Sequence, residues 1–175
     1  MLAVHGGAGR IVAEERGAQR TAVARRGSAP GMAVLCDGGS ALDPVVAGVL
    51  FLEEDGQFNA GRGAVRTTAG GVDHDAAVAD GATHRSGAVT CVSGIRNPVL
   101  AARAVLERTP HVLLSGAGAQ KLARQESLAS MPSDWFMTAR RREQLAKLRR
   151  TDRAEPEGTG GTVDAVALDG EGHRA

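Results

Sequence analysis

A chain with almost no aromatic side chains must close its core with small ones. Among 175 residues there are three phenylalanines, one tryptophan and no tyrosine, against 24 glycines. Large aromatics dominate core burial, so a core of valine, leucine and alanine has to pack closely to hold. A chain of this length can do so as one domain, with little room for a second. Charge excludes some functions: 21 Lys+Arg against 20 Asp+Glu leave a net charge of +1, so no global field draws in nucleic acid or an anionic membrane. The basic side is 19 arginines and two lysines, which reads as compositional bias. Cys36 and Cys91 form neither a CxxC pair nor a disulfide framework. They are predicted to be buried small hydrophobes in a reducing, cytoplasmic compartment. No apolar run reaches the ~18 residues of a membrane helix, and the start meets His5-Gly6-Gly7 too early for a signal peptide.

Local patterning predicts mixed α/β layers with helices covering a sheet. Residues 2–5 read as a short buried strand. Residues 11–36 are helical in composition, but Gly27, Pro30 and Gly31 predict a kinked or broken helix. Ser40-Ala41-Leu42-Asp43 has the form of a capping box, and Leu42, Val45, Val46, Val49 and Leu50 recur at helical spacing as far as Glu54. Residues 64–67, 70–72, 76–79 and 87–92 are strand-like. Asn97-Pro98 predicts the start of a helix that Pro110 closes. A strand over 111–114, a small helix over 116–124 and a basic amphipathic helix over 135–150 follow. Residues 151–160 read as a mobile linker, and residues 162–168 as a final strand. No internal repeat is present.

Four glycine-containing segments stand out: 5–9, 59–63, 115–118 and 158–162. Singly, each is read as a turn needing positive φ or close backbone approach. There is no GxxxxGK[ST], and no GxGxxG between a strand and a helix, so nucleotide binding is excluded. His5, His74, His84, His111 and His173 lack the spacing of a transition-metal site. Arg140-Arg141-Arg142, with Lys147, Arg149 and Arg150, reads as a solvated helix face because little stacking surface accompanies it.

The order of longer motifs is more specific. HGGAG follows the first strand, then come GGSALD, LEEDGQFNAGRGAV, DAAVADG, GAVTCVSGIRNPVLAARAVLERTPHVLLSGAGA and GTVDAVALDGEG. This run resembles the N-terminal part of the plant-type (type 2) L-asparaginase and isoaspartyl peptidase family, one of the N-terminal nucleophile hydrolases. The resemblance covers roughly residues 2–175, with the least agreement at 11–35 and 150–160. It implies an αββα sandwich, here lacking most of the β subunit, with residues 1–161 as an α-subunit-like part and 162–175 as the first strand of a truncated β subunit. It also implies hydrolysis of L-asparagine and β-aspartyl dipeptides, and a homodimer of processed α/β pairs in the full-length family protein.

The resemblance puts the nucleophile at Thr162, exposed by cleavage of the Gly161–Thr162 bond. The chemistry suits those residues. A threonine hydroxyl is a poor nucleophile until a base takes its proton. A free α-amine, with a pKa of about 7.7–8.0, is partly neutral near neutral pH and sits on the same residue. Gly161 tolerates strain at the scissile carbonyl. Asn59 of FNAGRG resembles the family asparagine that hydrogen-bonds near the nucleophile, and Gly7 the glycine whose backbone approaches it. Residues 52–62 resemble the family's sodium-binding loop, in which the backbone carbonyls of Leu52, Glu53, Asp55, Phe58, Ala60 and Arg62 would wrap the ion. No other cofactor is implied.

Two departures stand against this pattern. Asp164 occupies a position where family members usually carry glycine, and a carboxylate there would repel anionic substrate or raise the pKa of the terminal amine. The sequence also stops at Ala175, before the family's Thr-Ser-Thr-Gly-Gly segment, the clamp for the substrate's α-carboxylate and α-amine, and the oxyanion donors. The resemblance therefore implies a chain inactive, or nearly so, by itself. The alternative is a non-catalytic remnant or interaction module needing a partner chain.

Overall fold

In a computed structural model of the chain, residues 1–7, 14–67, 69–151 and 161–175 are described. The predicted linker therefore lies almost wholly outside the described residues. The first strand, β1 (Leu2–His5), pairs antiparallel with the last, β5 (Asp164–Ala167), in the register Leu2↔Ala167 to His5↔Asp164. Chain start and residue 162 are thereby brought side by side. A second sheet has the order β2-β3-β4: β2 (His74–Asp80) and β3 (Arg85–Val92) form an antiparallel hairpin, and β4 (Leu113–Ser115) adds parallel to β3.

Helices α1 (Glu14–Cys36) and α2 (Leu42–Asp55) pack on each other and on the β1–β5 pair. The predicted break in α1 does not occur: one helix runs through Pro30. Its glycines serve close approach instead. A Cβ on Gly27 would lie 2.9 Å from Phe51 Cδ1, and one on Gly31 would lie 2.7 Å from the Pro44 carbonyl oxygen. Contact between the helices replaces what Pro30 and the glycines cost locally. The capping box expected with Ser40 as N-cap does not form: α2 starts after Ala41 with no side-chain cap, and Ser40 Oγ donates to Asp43 Oδ2 at 3.3 Å instead of Asp43 or Ser40 meeting a backbone N–H. Gly56, left-handed at φ 79°, ends α2.

Helix α3 (Pro98–Arg108) covers β2 and β3 with Val99, Ala101, Ala102, Val105 and Leu106. Asn97 makes no side-chain cap; Glu53 Oε1, arriving from α2, accepts the Val99 N–H at 3.1 Å. Burial pushes the Glu53 carboxyl up to about 8, so the capping group is neutral at pH 7. Helix α4 (Gly116–Gln125) follows β4, and α5 (Ala139–Thr151) comes after a 3₁₀ turn at Ser133–Phe136. Residues 64–67 and 70–72, predicted as strands, are a tight loop instead. The Thr67 N–H donates to the Gly71 carbonyl, and the Gly70 N–H to the Thr67 carbonyl.

The main core is aliphatic, as the composition requires. All four aromatics lie elsewhere. Phe51 and Phe58 pack with Val4, Val23, Leu52 and Val163, while Trp135 and Phe136 pack with Ala64, Val72 and Met131. These two small clusters flank residues 56–63 and give that loop the rigid walls that the rest of the core builds from small residues. Cys36 and Cys91 are both exposed, contrary to the burial predicted for them. Cys36 ends α1, and Cys91 turns outward in a left-handed conformation, φ 53°.

Candidate active site

Gly7, Asn59 and the Gly161–Thr162 peptide meet at the end of the β1–β5 ladder. Beyond His5 the chain continues past Phe58, which lies so close that a Cβ on Gly6 would be 2.5 Å from its Cε1. Gly7, at φ +93°, lies against the peptide: a Cβ there would sit 2.8 Å from the Thr162 carbonyl oxygen and 3.3 Å from the Gly161 carbonyl carbon. Only glycine suits this place, on conformation and on space alike. Gly161 itself has φ 146°, open to glycine and little else.

Asn59 completes the arrangement. Its Nδ2 donates to the Gly161 carbonyl oxygen at 2.9 Å, while its Oδ1 accepts the Val65 N–H at 2.8 Å. The second bond fixes which end of the amide faces residue 161, because a backbone N–H can only meet the oxygen. A side-chain donor thus rests on the oxygen where charge develops when a nucleophile attacks the Gly161 carbonyl. The final strand is shorter than the 162–168 expected, so Thr162 is exposed two residues before β5 begins, and Val163 turns inward beside Phe58.

A family model described as asparaginase matches residues 1–175. The chain belongs to the asparaginase family. It is 41% identical over 183 residues to the isoaspartyl peptidase/L-asparaginase of Danio rerio, and 36% over 178 residues to that of Homo sapiens. It is 40% identical over 188 residues to the isoaspartyl peptidase of Salmonella typhimurium. All of this chain is covered in each case, but it spans only 57%, 58% and 60% of those relatives' lengths.

In this asparaginase-family chain, Asp164 is tied across the ladder: its Oδ2 lies 3.3 Å from His5 Nδ1, both side chains being exposed. The same nitrogen lies 3.4 Å from the Gly7 backbone nitrogen. Nδ1 serves one of these partners at a time, donating to Asp164 when it carries the proton and accepting the Gly7 N–H when it does not; Asp164 and Thr162, two residues apart, are both exposed.

The loop from Leu52 to Arg62 leaves α2 and folds back on it. The Arg62 N–H donates to the Glu53 carbonyl at 2.7 Å, and a Cβ on Gly61, at φ +44°, would meet that same oxygen at 2.6 Å. Three further carbonyls of the loop accept side-chain donors: Gln57 from Arg140 NH1 at 3.0 Å, Gly61 from His74 Nε2 at 3.2 Å, and Gly63 from Arg141 Nε. None of these three belongs to the expected sodium set of Leu52, Glu53, Asp55, Phe58, Ala60 and Arg62. Apart from Glu53, the expected carbonyls are not those engaged by these donors, and their hard oxygens suit a hard cation. The Glu54 carboxylate is held by Arg96 at 2.8 and 3.0 Å, and that pairing lowers its pKa. Among the described residues no group of three or more His, Cys, Asp or Glu could hold a metal ion, and no helix is long and apolar enough to cross a membrane.

Two buried side chains that hold this segment, His74 from β2 and Arg141 from α5, were not singled out as site residues from sequence. His74 faces inward with Val78 on the same side of β2, an alternation the Asp-His-Asp context obscures. Arg141, read as part of a solvated face, is 4% exposed. It shares a helical face with Gln144 and Leu145, a spacing that could have separated it from Arg140 and Arg142.

His74 carries a prediction of its own. Burial lowers its pKa from the ordinary value of 6.5. As pH falls below 6.5 the unfolded chain takes up a proton before the folded chain does, so stability drops with acid, by up to about 1.4 kcal/mol per pH unit. His74→Gln keeps a donor for the Gly61 carbonyl and removes the titration. Urea midpoints between pH 7 and 5 should fall less steeply in that variant than in the unaltered chain; equal slopes would contradict the assignment.

Proposed function

We propose that this chain cleaves its own Gly161–Thr162 bond, and that the freed Thr162 is the nucleophile of an amidohydrolase acting on L-asparagine and β-aspartyl dipeptides. The observation that carries this reading is the 2.9 Å hydrogen bond from Asn59 Nδ2 to the Gly161 carbonyl, on a peptide against which Gly7 is packed.

The Thr162 hydroxyl attacks the Gly161 carbonyl carbon as its proton passes to a base, with water as the relay. The Gly161 oxygen gains negative charge against Asn59 Nδ2. Collapse breaks the C–N bond, the Thr162 nitrogen leaves as a protonated amine, and an ester joins Gly161 to Thr162 Oγ1. Water hydrolyses the ester, leaving a Gly161 carboxylate and a Thr162 with free hydroxyl and free α-amine. In later turnovers that amine accepts the hydroxyl proton while the hydroxyl attacks a substrate amide. The β-aspartyl group passes to Thr162 Oγ1 as an ester while ammonia leaves from asparagine, or an amino acid from a β-aspartyl dipeptide, and water then hydrolyses the ester to release aspartate and restore the hydroxyl.

Cleavage divides the chain into residues 1–161 and 162–175. The two sheets and their helices are read as part of an αββα sandwich, which in the family reading assembles as a homodimer of processed pairs. The carbonyls of Leu52, Glu53, Asp55, Phe58, Ala60 and Arg62 would hold a sodium ion, which stiffens the loop bearing Asn59. The chain spans 57% of the length of the Danio rerio relative. Amide turnover is accordingly proposed for a protein that also carries the remaining length, on this polypeptide or another.

Ammonia and aspartate release from L-asparagine, measured for the chain alone and together with a polypeptide supplying that remaining length, tests the reading. Release is expected in the second case and little or none in the first. A mixture that has been cut after Gly161 yet turns over neither substrate would favour a non-catalytic interaction module.

A further inference from the structure

We infer that Arg141 is a positioning residue for the Gly161 carbonyl, acting through the loop that carries Asn59; the inference rests on the proposed cleavage at Gly161–Thr162. A guanidinium that is 4% exposed is costly to bury unless its donors are met. Arg141 meets them at defined points: Nε donates to the Gly63 carbonyl and NH1 to Gln144 Oε1 at 2.8 Å. The Gly63 N–H in turn donates to the Phe136 carbonyl at 3.0 Å. Gly63 is thereby gripped on both sides of its α-carbon by the segment that begins α5.

From Gly63 the connection to the reacting carbonyl is short and uninterrupted. Two residues on, the Val65 N–H holds Asn59 Oδ1, and Asn59 Nδ2 holds the Gly161 oxygen. If Gly63 shifts, the Val65 N–H shifts with it, and the Asn59 amide loses the partner that sets its orientation. Arg140 fastens the other end of the loop through the Gln57 carbonyl, and His74 fastens Gly61 between them. Of these, the Arg141 bond acts directly on the Gly63–Ala64 peptide next to the Val65 N–H, whereas His74 reaches that peptide through the Gly61 carbonyl, which also accepts the Ala64 N–H at 3.2 Å. Helix α5 also leads toward residue 161 along the chain, so one helix braces the donor and precedes the acceptor.

A purely structural part for Arg141 would loosen α5 and leave the Gly161 carbonyl as it is, so the test reads that carbonyl directly. In an uncleavable Thr162→Ala background, the Gly161 carbonyl ¹³C resonance and the exchange rate of the Asn59 side-chain amide are recorded for the parent, Asn59→Ala, Arg141→Met and Arg141→Lys. The expected result is that Arg141→Met moves the carbonyl resonance in the direction Asn59→Ala moves it, and speeds amide exchange. Arg141→Lys, which keeps the charge and a donor but loses the planar fork, should move both by less. In the cleavable chain, Arg141→Met should slow cleavage roughly tenfold or more through misplacement, and should add nothing once Asn59 is alanine. If Arg141→Met does not fold, Arg141→Lys carries the same comparison. A folded variant whose Gly161 resonance stays at the parent position would overturn the inference, as would equal slowing with and without Asn59. Absence of cleavage in the parent would count against the proposed function and leave the resonance measurements to decide this one.

Discussion

In a Thr162→Ala variant, the bond after Gly161 stays whole under conditions that cut the parent chain. The substitution removes the oxygen that would accept the Gly161 acyl group, and the next residues cannot take its place: Val163, half-buried beside Phe58, has no nucleophilic atom, and the Asp164 carboxylate lies toward His5. Unlike most substitutions, it costs the fold little, since Thr162 is exposed and lies two residues before β5 begins. Thr162→Ser retains a hydroxyl and is expected to retain cleavage. Electrophoresis of aged samples distinguishes the outcomes, and a cut in the alanine variant equal to the parent's would remove Thr162 from the mechanism.

The second large effect belongs to Asn59. Asn59→Ala leaves Gly161 with an unassisted carbonyl and should slow cleavage about 10²–10³-fold, or ~2.7–4 kcal/mol of barrier, the usual effect of deleting one such donor. Asn59→Asp has nearly the same shape but presents only acceptors when ionised. It would set a negative charge against the developing oxyanion, and should be at least as slow as alanine. Part of the alanine effect comes from the freed Val65 N–H, which also loses its partner. A cleavage rate unchanged by either substitution would mean that the 2.9 Å bond is a feature of the resting state alone.

How much of this was legible beforehand depended on the kind of signal. The β1 strand, the hairpin region and the Asn97-Pro98 helix start are local patterns, and the chain forms them, although β1 is half-buried and exposed by turns and not the buried strand expected over 2–5. Glycine misled wherever its reason was tertiary. Gly27 and Gly31 look like breaks in a helix, yet they are the places where α1 meets Phe51 and Pro44. The glycines at 70 and 71 close a turn on Thr67 instead of ending strands. Arginine misled in the opposite sense. Within Arg140-Arg141-Arg142 only the helical spacing to Gln144 and Leu145 marks the middle residue as the inward one, and no local pattern reveals its partner, a carbonyl 78 positions away.

Gly7, Asn59 and Thr162 were reachable only through the resemblance of whole motifs, since no spacing in one sequence brings residues 7, 59 and 162 together. What brings them together is the pairing of the first and last strands. The aromatic scarcity that opens the sequence gains a meaning in the same way: the few large rings lie beside the loop that must not move, and the aliphatic core does the rest. Asp164 remains the distinctive feature. Its carboxylate lies 3.3 Å from His5 Nδ1 across the ladder, on the face where Thr162 stands.

The most direct measurement is the mass and terminal sequence of the polypeptides present after the purified chain has stood at neutral pH. The expected result is two species, the smaller beginning Thr-Val-Asp-Ala, which is the sequence from Thr162 onward. A chain that stays whole, or that breaks at any other bond, would contradict the central claim that the Gly161 carbonyl, held by Asn59, is poised for attack by the residue that follows it.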